Sequence, residues 1–307
     1  MYPRLQIAIL AAALLAVSCG DRERGGGQAP ATLHAVIEQP DAEYASVHTF
    51  GPNAPETTRT SIVADQTPHP IVWSANDLIS IHFDTDVNGG RRIYSLSQGA
   101  GTAQGDFTYA QIYDTSDTGV TMSADPPTSY TSLFAGFPGA FVTISARNSE
   151  LLLEPPREIF LGLDNIKDFP LVGTGGADGS ISFACPFGMM HLPVTGTAQI
   201  ESLYIDTTEQ QAEISGRFSI DPQSYAATFV ESVVGSQFSI SWNSTSPVQL
   251  TSSPASFYAI LPPGTYEAGT TFRFVLASGS SVTMTTKLPF TVTRANILNL
   301  PAVDINP

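Results

Sequence analysis

The sequence is short of cysteine, of basic charge and of long apolar runs, and each shortage excludes something. Two cysteines occur in 307 residues, Cys19 and Cys185, so once either is used elsewhere no internal disulfide can form. Stability must then come from core burial. Lys and Arg number 13 against 28 Asp and Glu, a net charge of −15, and Lys167 and Lys287 are the only lysines. Phosphate recognition needs clustered Arg and Lys, so nucleic acid is excluded as a partner. No apolar run reaches the ~20 residues of a membrane-spanning helix. Nor does any stretch of about a dozen residues place apolar side chains at i, i+3, i+4 and i+7. The 25 glycines and 23 prolines would interrupt a long helix in any case. Chemical motifs are also missing. There is no Gly-x-Ser-x-Gly elbow, and His34, His48, His69, His82 and His191 show no HxxH or HxxxH spacing. No catalytic set can be assembled, and the sequence calls for no enzyme activity, no cofactor and no metal.

What is present begins with the N-terminus. Met1-Tyr2-Pro3-Arg4 gives a short positive start, and Leu5 to Val17 is apolar apart from Gln6. The run has the length of a signal-peptide core and ends in small residues, Ala16-Val17-Ser18, directly before Cys19. That is the pattern of a bacterial lipoprotein box, in which the chain is cut before the cysteine and the thiol is lipidated. An ordinary signal peptide that happens to contain a cysteine is the alternative. The expectation is residues 1–18 as signal peptide and 19–31 as a lipidated Cys19 with a flexible tether rich in Gly25-Gly26-Gly27. The mature chain would then be anchored to a membrane by acyl chains and not inserted through it.

Beyond the tether, alternation dominates. In Leu78 to Asp84, Ile79, Ile81 and Phe83 share one face while Ser80, His82 and Asp84 share the other. Phe238 to Asn243 alternates likewise. Phe272 to Leu276 and Val282 to Thr285, joined by Ala277-Ser278-Gly279-Ser280, predict a hairpin. Low charge, 42% hydrophobic residues and plentiful Ser and Thr suit an exported all-β protein. The Gly-rich run Gly173 to Ser180 looks like a linker, dividing a domain at 32–178 from one at 179–307.

Several segments, in order, resemble the fimbrillin family of lipoproteins and type V pilus subunits. They are Thr58-Arg59-Thr60 with Ile71 to Ile81, in which Asn76 stands where the family usually has glycine; Tyr130 to Pro138; Ile181 to Gly196, continuing to Ile205 and Ile220; and Phe257 to Tyr266 with Phe290 to Ile297. The resemblance implies two tandem transthyretin-like β-sandwich domains. It implies a structural or adhesive subunit (stalk, tip or anchor) of a pilus, located at the outer membrane and facing the surface. Its partners would be other pilus subunits or envelope proteins, joined by β-strand addition. It further implies that an Arg-directed protease could remove an N-terminal segment, with Arg59 or the linker residues Arg22 and Arg24 as sites. Cleavage at Arg59 would free a stretch containing Leu33, Val36 and Ile37. On the other reading Arg59 sits on a surface loop and is never cut.

Two further features look chemical. His191 lies near Cys185 and Met189-Met190, but alternation opposes it to Met190 and Leu192 and predicts a solvent-facing strand residue, with Cys185 as a small core hydrophobe. Asp84 to Gly89 is superficially like a calcium loop, yet the twelfth position is Ser95 and not Glu, so a polar turn is expected. The functional alternative is a monomeric surface lipoprotein that captures glycans on Trp73, Trp242, Tyr109 or Tyr113.

Overall fold

The structure is a computed structural model and describes residues 32–39, 61–62, 70–85, 92–114, 120–122, 125–137, 143–145, 150–166, 169–208, 213–232 and 235–306. These form strands throughout, with one short 3-10 turn at Leu163–Asn165. The all-β expectation holds. Cys19, the signal peptide, the tether and Arg59 lie outside the described residues.

The N-terminal half is a closed barrel of seven strands. Going round it, Thr32–Ile37 pairs with Ser180–Ala184, then Leu171–Gly176, Ser132–Phe137, Leu78–Phe83, Arg92–Gln98 and Gln104–Tyr109, which returns to Thr32–Ile37. The first strand runs parallel to Ser180–Ala184, and every other pairing in the barrel is antiparallel. Closure leaves the barrel without an edge. This differs from the open sandwich expected for this half. The interior is filled by Trp73, which meets Phe107, Phe137 and Phe183 edge-on at centroid distances of 4.9, 5.9 and 5.2 Å. Gly105 makes room for it, since a Cβ there would stand 2.8 Å from the indole and 2.6 Å from Leu96.

The run expected to be a linker is part of this barrel. Leu171–Gly176 is a strand, and the turn at 177–179 joins it to Ser180–Ala184 in a hairpin with Gly175 opposite Ile181. The break anticipated at 178/179 therefore falls inside a hairpin. Its glycines serve packing: a Cβ on Gly173 would meet Ile181 at 2.8 Å.

The C-terminal half is layered. A central sheet orders Ile159–Leu161, Ala255–Leu261, Gly188–Gly196 and Ile297–Asn299, with Val303–Ile305 pairing further along Gly188–Gly196. An outer sheet orders Ser239–Gln249, Gln199–Asp206, Thr271–Leu276 and Ser281–Thr285. The hairpin foreseen in the sequence is there, with Phe274 opposite Val282. One core lies between these sheets, built from Met190, Leu192, Phe257 and Ala259 on one side and Leu203, Ile205, Phe272 and Phe274 on the other. The opposite face of the central sheet carries Met189, Tyr258 and Ile260. It packs into a second core shared with the barrel and with a flanking sheet of Thr143–Ser145, Glu150–Leu153, Arg217–Ile220 and Ala227–Glu231. Strands covered on both faces lose alternation. Gly188–Gly196 and Ala255–Leu261 are accordingly buried almost residue by residue.

Candidate functional site

The feature with functional potential is the first strand, which completes a barrel whose other six strands lie at residue 78 or beyond. Thr32–Ile37 alternates strictly. Leu33, Ala35 and Ile37 point inward at 0%, 1% and 2% exposure, while His34 and Val36 face outward. Each buried Leu or Ile of this kind contributes about 1.5–3 kcal/mol. Backbone pairing runs along both sides, with registers Ala35 to Ile181 on one flank and Ala35 to Gly105 on the other. A strand placed like this offers main-chain hydrogen bonds for affinity and alternate side chains for register, the two components of strand addition.

Side chains extend the pairing at both ends. His34 Nδ1 contacts Asp106 Oδ1 at 2.7 Å on the outer surface. Past the strand, the Gln39 amide imitates a further ladder step. Its Nε2 donates to the carbonyls of Ile37 (3.0 Å) and Ile71 (3.1 Å), and its Oε1 accepts from Ile71 N at 3.1 Å. Between them, Glu38 N donates to Phe183 O at 2.7 Å, and the Glu38 carboxylate meets Arg294 in a fork. The Arg294 nitrogens Nη1 and Nη2 donate to Glu38 Oε2 and Oε1 at 2.6 and 2.8 Å. Those hydrogen bonds raise the Arg294 guanidinium above its ordinary pKa, outweighing the lowering by burial.

The other residues singled out in the sequence fall into structural places. His191 is buried, contrary to the solvent-facing position predicted. It stacks on Tyr258 with centroids 4.6 Å apart and planes 9° apart, and its Nδ1 contacts Asn299 Oδ1 at 2.8 Å. The alternation was real, but the far face of that strand is covered by the second core. Cys185 is buried as expected, with Sγ 3.2 Å from Phe187 O, and burial pushes its thiol up to about 12. A thiol held protonated is no nucleophile at neutral pH. Ser80 and His82 are buried as well, so the strand Leu78–Phe83 is covered on both faces.

Asp84 opens a turn, as foreseen. Burial raises its pKa, but hydrogen bonds from Thr131 and Ser132 outweigh this and hold the carboxyl below its ordinary value. Residues 86–90 of that loop lie outside the described residues. Asn76 has φ 66°, the left-handed conformation that lets it stand in for glycine. Among the described residues, no group of three or more His, Cys, Asp or Glu could hold a metal ion. Of the aromatic platforms considered for sugars, Trp73 is enclosed in the barrel and Trp242 packs edge-on against Phe257 at 5.2 Å. Tyr109 is half-buried beside Tyr94, and the side chain of Tyr113 is outside the described set. What sequence reasoning missed is Arg294 and Glu38. They are 256 residues apart, and no local pattern joins them.

The fold and site define an all-β chain in which Thr32–Ile37 completes a closed barrel. No family model matches the sequence, and no curated protein matches it. Solved structures do match. One is a putative cell adhesion protein from Bacteroides ovatus, with TM-score 0.47, 10% identity, and coverage of 80% of this chain and 88% of that one. A second, from Bacteroides uniformis and described in the same words, gives 0.45 and 12% identity, covering 76% and 88%. The tip fimbrial protein Mfa3 from Porphyromonas gingivalis gives 0.29 and 11% identity, covering 83% and 81%. At scores this low the likeness decides neither the fold nor the function of this chain.

Proposed function

We propose that the chain is a lipid-anchored structural or adhesive subunit of a surface fibre assembled by β-strand exchange. Its Cys19 would be lipidated and would hold the body at the outer face of the outer membrane until cleavage at Arg59 and departure of the first strand release it from the anchor. The observation that carries this reading is the first strand. It buries Leu33, Ala35 and Ile37 and pairs on both sides, yet it is connected to the rest of the barrel only through residues 38–77, a segment containing Arg59. Cutting at Arg59 would leave Thr32–Ile37 held by noncovalent contacts alone. Its departure would expose an apolar slot between Ser180–Ala184 and Gln104–Tyr109, shaped for the strand of another subunit. Partners would be further copies or envelope proteins that supply such a strand. The two-unit organisation is retained in this proposal as a barrel unit and a layered unit, not as two consecutive stretches of chain, because Ile159–Leu161 joins the layered unit although it precedes the last barrel strands.

The glycan-capture reading gains nothing from the site, because Trp73 is enclosed and Trp242 is engaged in packing. The experiment is limited digestion of the full chain with an Arg-specific protease, followed by size analysis in SDS without boiling. Polymers resistant to SDS are expected. A cut chain that stays monomeric, alone and with the products of neighbouring genes, would falsify the proposal.

A further inference from the structure

We infer that Arg294 is a clamp that holds the first strand in the barrel, so that the C-terminal half sets how readily the strand leaves. The strand ends at Ile37, and the next residue, Glu38, is seized by a side chain 256 positions further along. The grip is a two-pronged charge-assisted pair, with Nη1 to Oε2 at 2.6 Å and Nη2 to Oε1 at 2.8 Å. The guanidinium is fixed independently of Glu38. Its Nη1 also donates to Cys185 O at 3.0 Å, and its carbon lies 5.3 Å from the centre of the Tyr225 ring. A guanidinium anchored on its own side meets an incoming carboxylate with little ordering left to do.

The loop that carries it is strapped down too. Ala295 takes a left-handed φ of 55° and donates from N to Phe187 O at 2.8 Å, while Met189 N donates to Asn296 O at 2.7 Å. Gly188 permits that contact, since a Cβ there would stand 2.3 Å from Thr293 O. Both members of the pair are about one-third exposed, at 30% and 36% of side-chain area, so the fork is open to solvent from one side. It can be undone without unfolding either core. An exposed pair of loose geometry would contribute little. This one has two short parallel bonds and an anchored cation, which is the arrangement in which such pairs matter.

The clamp's use in assembly rests on the strand-exchange reading, whereas the clamp itself does not. It is tested by hydrogen exchange on the intact full-length chain in detergent, comparing the native protein with Glu38→Gln, Arg294→Lys and Arg294→Ala. In Glu38→Gln and Arg294→Ala the amides of residues 33–38 are expected to exchange about tenfold faster. Arg294→Lys should fall between, because lysine keeps the charge and loses the fork. Adding Glu38→Gln to Arg294→Ala should produce no further acceleration, since the two remove one interaction. The strand Thr271–Leu276 serves as the internal control and should keep its native rate.

Native exchange of residues 33–38 in Glu38→Gln would overturn the clamp. So would an equal acceleration of Thr271–Leu276, which would mean a general loss of stability. If Arg294→Ala fails to fold, Glu38→Gln decides alone. The two claims separate cleanly. A chain with accelerated 33–38 exchange that never polymerises after cleavage keeps the clamp and loses the assembly reading. A chain that polymerises with unaltered exchange does the reverse.

Discussion

The two halves of the molecule deal with strand edges in opposite ways. The barrel of the N-terminal half has no free edge, because Thr32–Ile37 closes it. The C-terminal half keeps open sheets, and Ser281–Thr285 pairs on one side only among the described residues. A closed barrel can accept a foreign strand only by losing one of its own, whereas an open sheet can accept one at its margin at any time. Under the strand-exchange proposal, the first strand of the barrel would be the controlled point of association. The open edge, Ser281 to Thr285, is built of Ser, Thr, Val and Met, and Lys287 follows two residues on.

The sharpest way to break this comparison is to hollow out one half and then the other. Trp73→Ala should cost about 3–5 kcal/mol by denaturant unfolding, because Trp73 is fully enclosed among three aromatic rings. Trp242→Ala, at a half-buried position in the outer sheet, should cost about 1–2 kcal/mol. Equal losses would contradict the difference in enclosure between the two tryptophans. Next in size is overpacking. Gly173→Val should destabilise by about 1–3 kcal/mol, since its Cβ meets Ile181 at 2.8 Å. Gly279→Ala, in the outer hairpin with nothing within 4 Å, should lose about 1 kcal/mol through its φ of 84° alone.

Cys185 sharpens the picture at the seam between the halves. With its thiol pushed up to about 12, roughly one molecule in ten thousand carries the thiolate at pH 8. Iodoacetamide labelling of Cys185 should proceed no faster than unfolding, and rapid labelling of folded protein would contradict the burial assigned to it.

The smallest effects are those of pH. Tyr94, in the barrel, is raised by burial to about 12 from an ordinary 10.0. A group so raised contributes stability that is complete below pH 10 and lost as pH climbs towards 12. Asp84 works in the other direction. Lowered below 3.8, it contributes stability present above that value and lost as pH falls through its folded value. Tyr94→Phe should reduce the alkaline loss in a pH series of melting temperatures, and Asp84→Asn should flatten the acid side. Unchanged slopes in both variants would remove these groups from the account.

How much of this could be read from the sequence depended on how each strand is covered. Where one face meets solvent, as in Thr271–Leu276 and the start of Ser239–Gln249, period-two alternation marked the strand and its turn. Asn76 was legible for the same local reason, because its side chain tolerates the φ that the turn demands. Where both faces are buried, pattern misled. Gly188–Gly196 reads as a single apolar run with one histidine, and nothing in it reveals that a second core waits for His191. The glycines of Leu171–Gly176 imitated a linker because the space that excludes a side chain there is created by Ile181 and Phe183 of the adjoining strand. Barrel closure is less visible still. The parallel pairing of Thr32–Ile37 with Ser180–Ala184 and the grip of Arg294 on Glu38 join residues too far apart for any periodicity to record.

The most direct measurement on the central claim follows the first strand itself. The full chain, cut between residues 40 and 60, is incubated with excess synthetic peptide of residues 32–39, and the retained fragment is identified by mass. Replacement of the native strand by the peptide, together with loss of that exchange when Leu33 and Ile37 of the peptide are changed to Asp, is the predicted result. A cut chain that keeps its own strand indefinitely, or that sheds it and takes up neither peptide, would contradict the account.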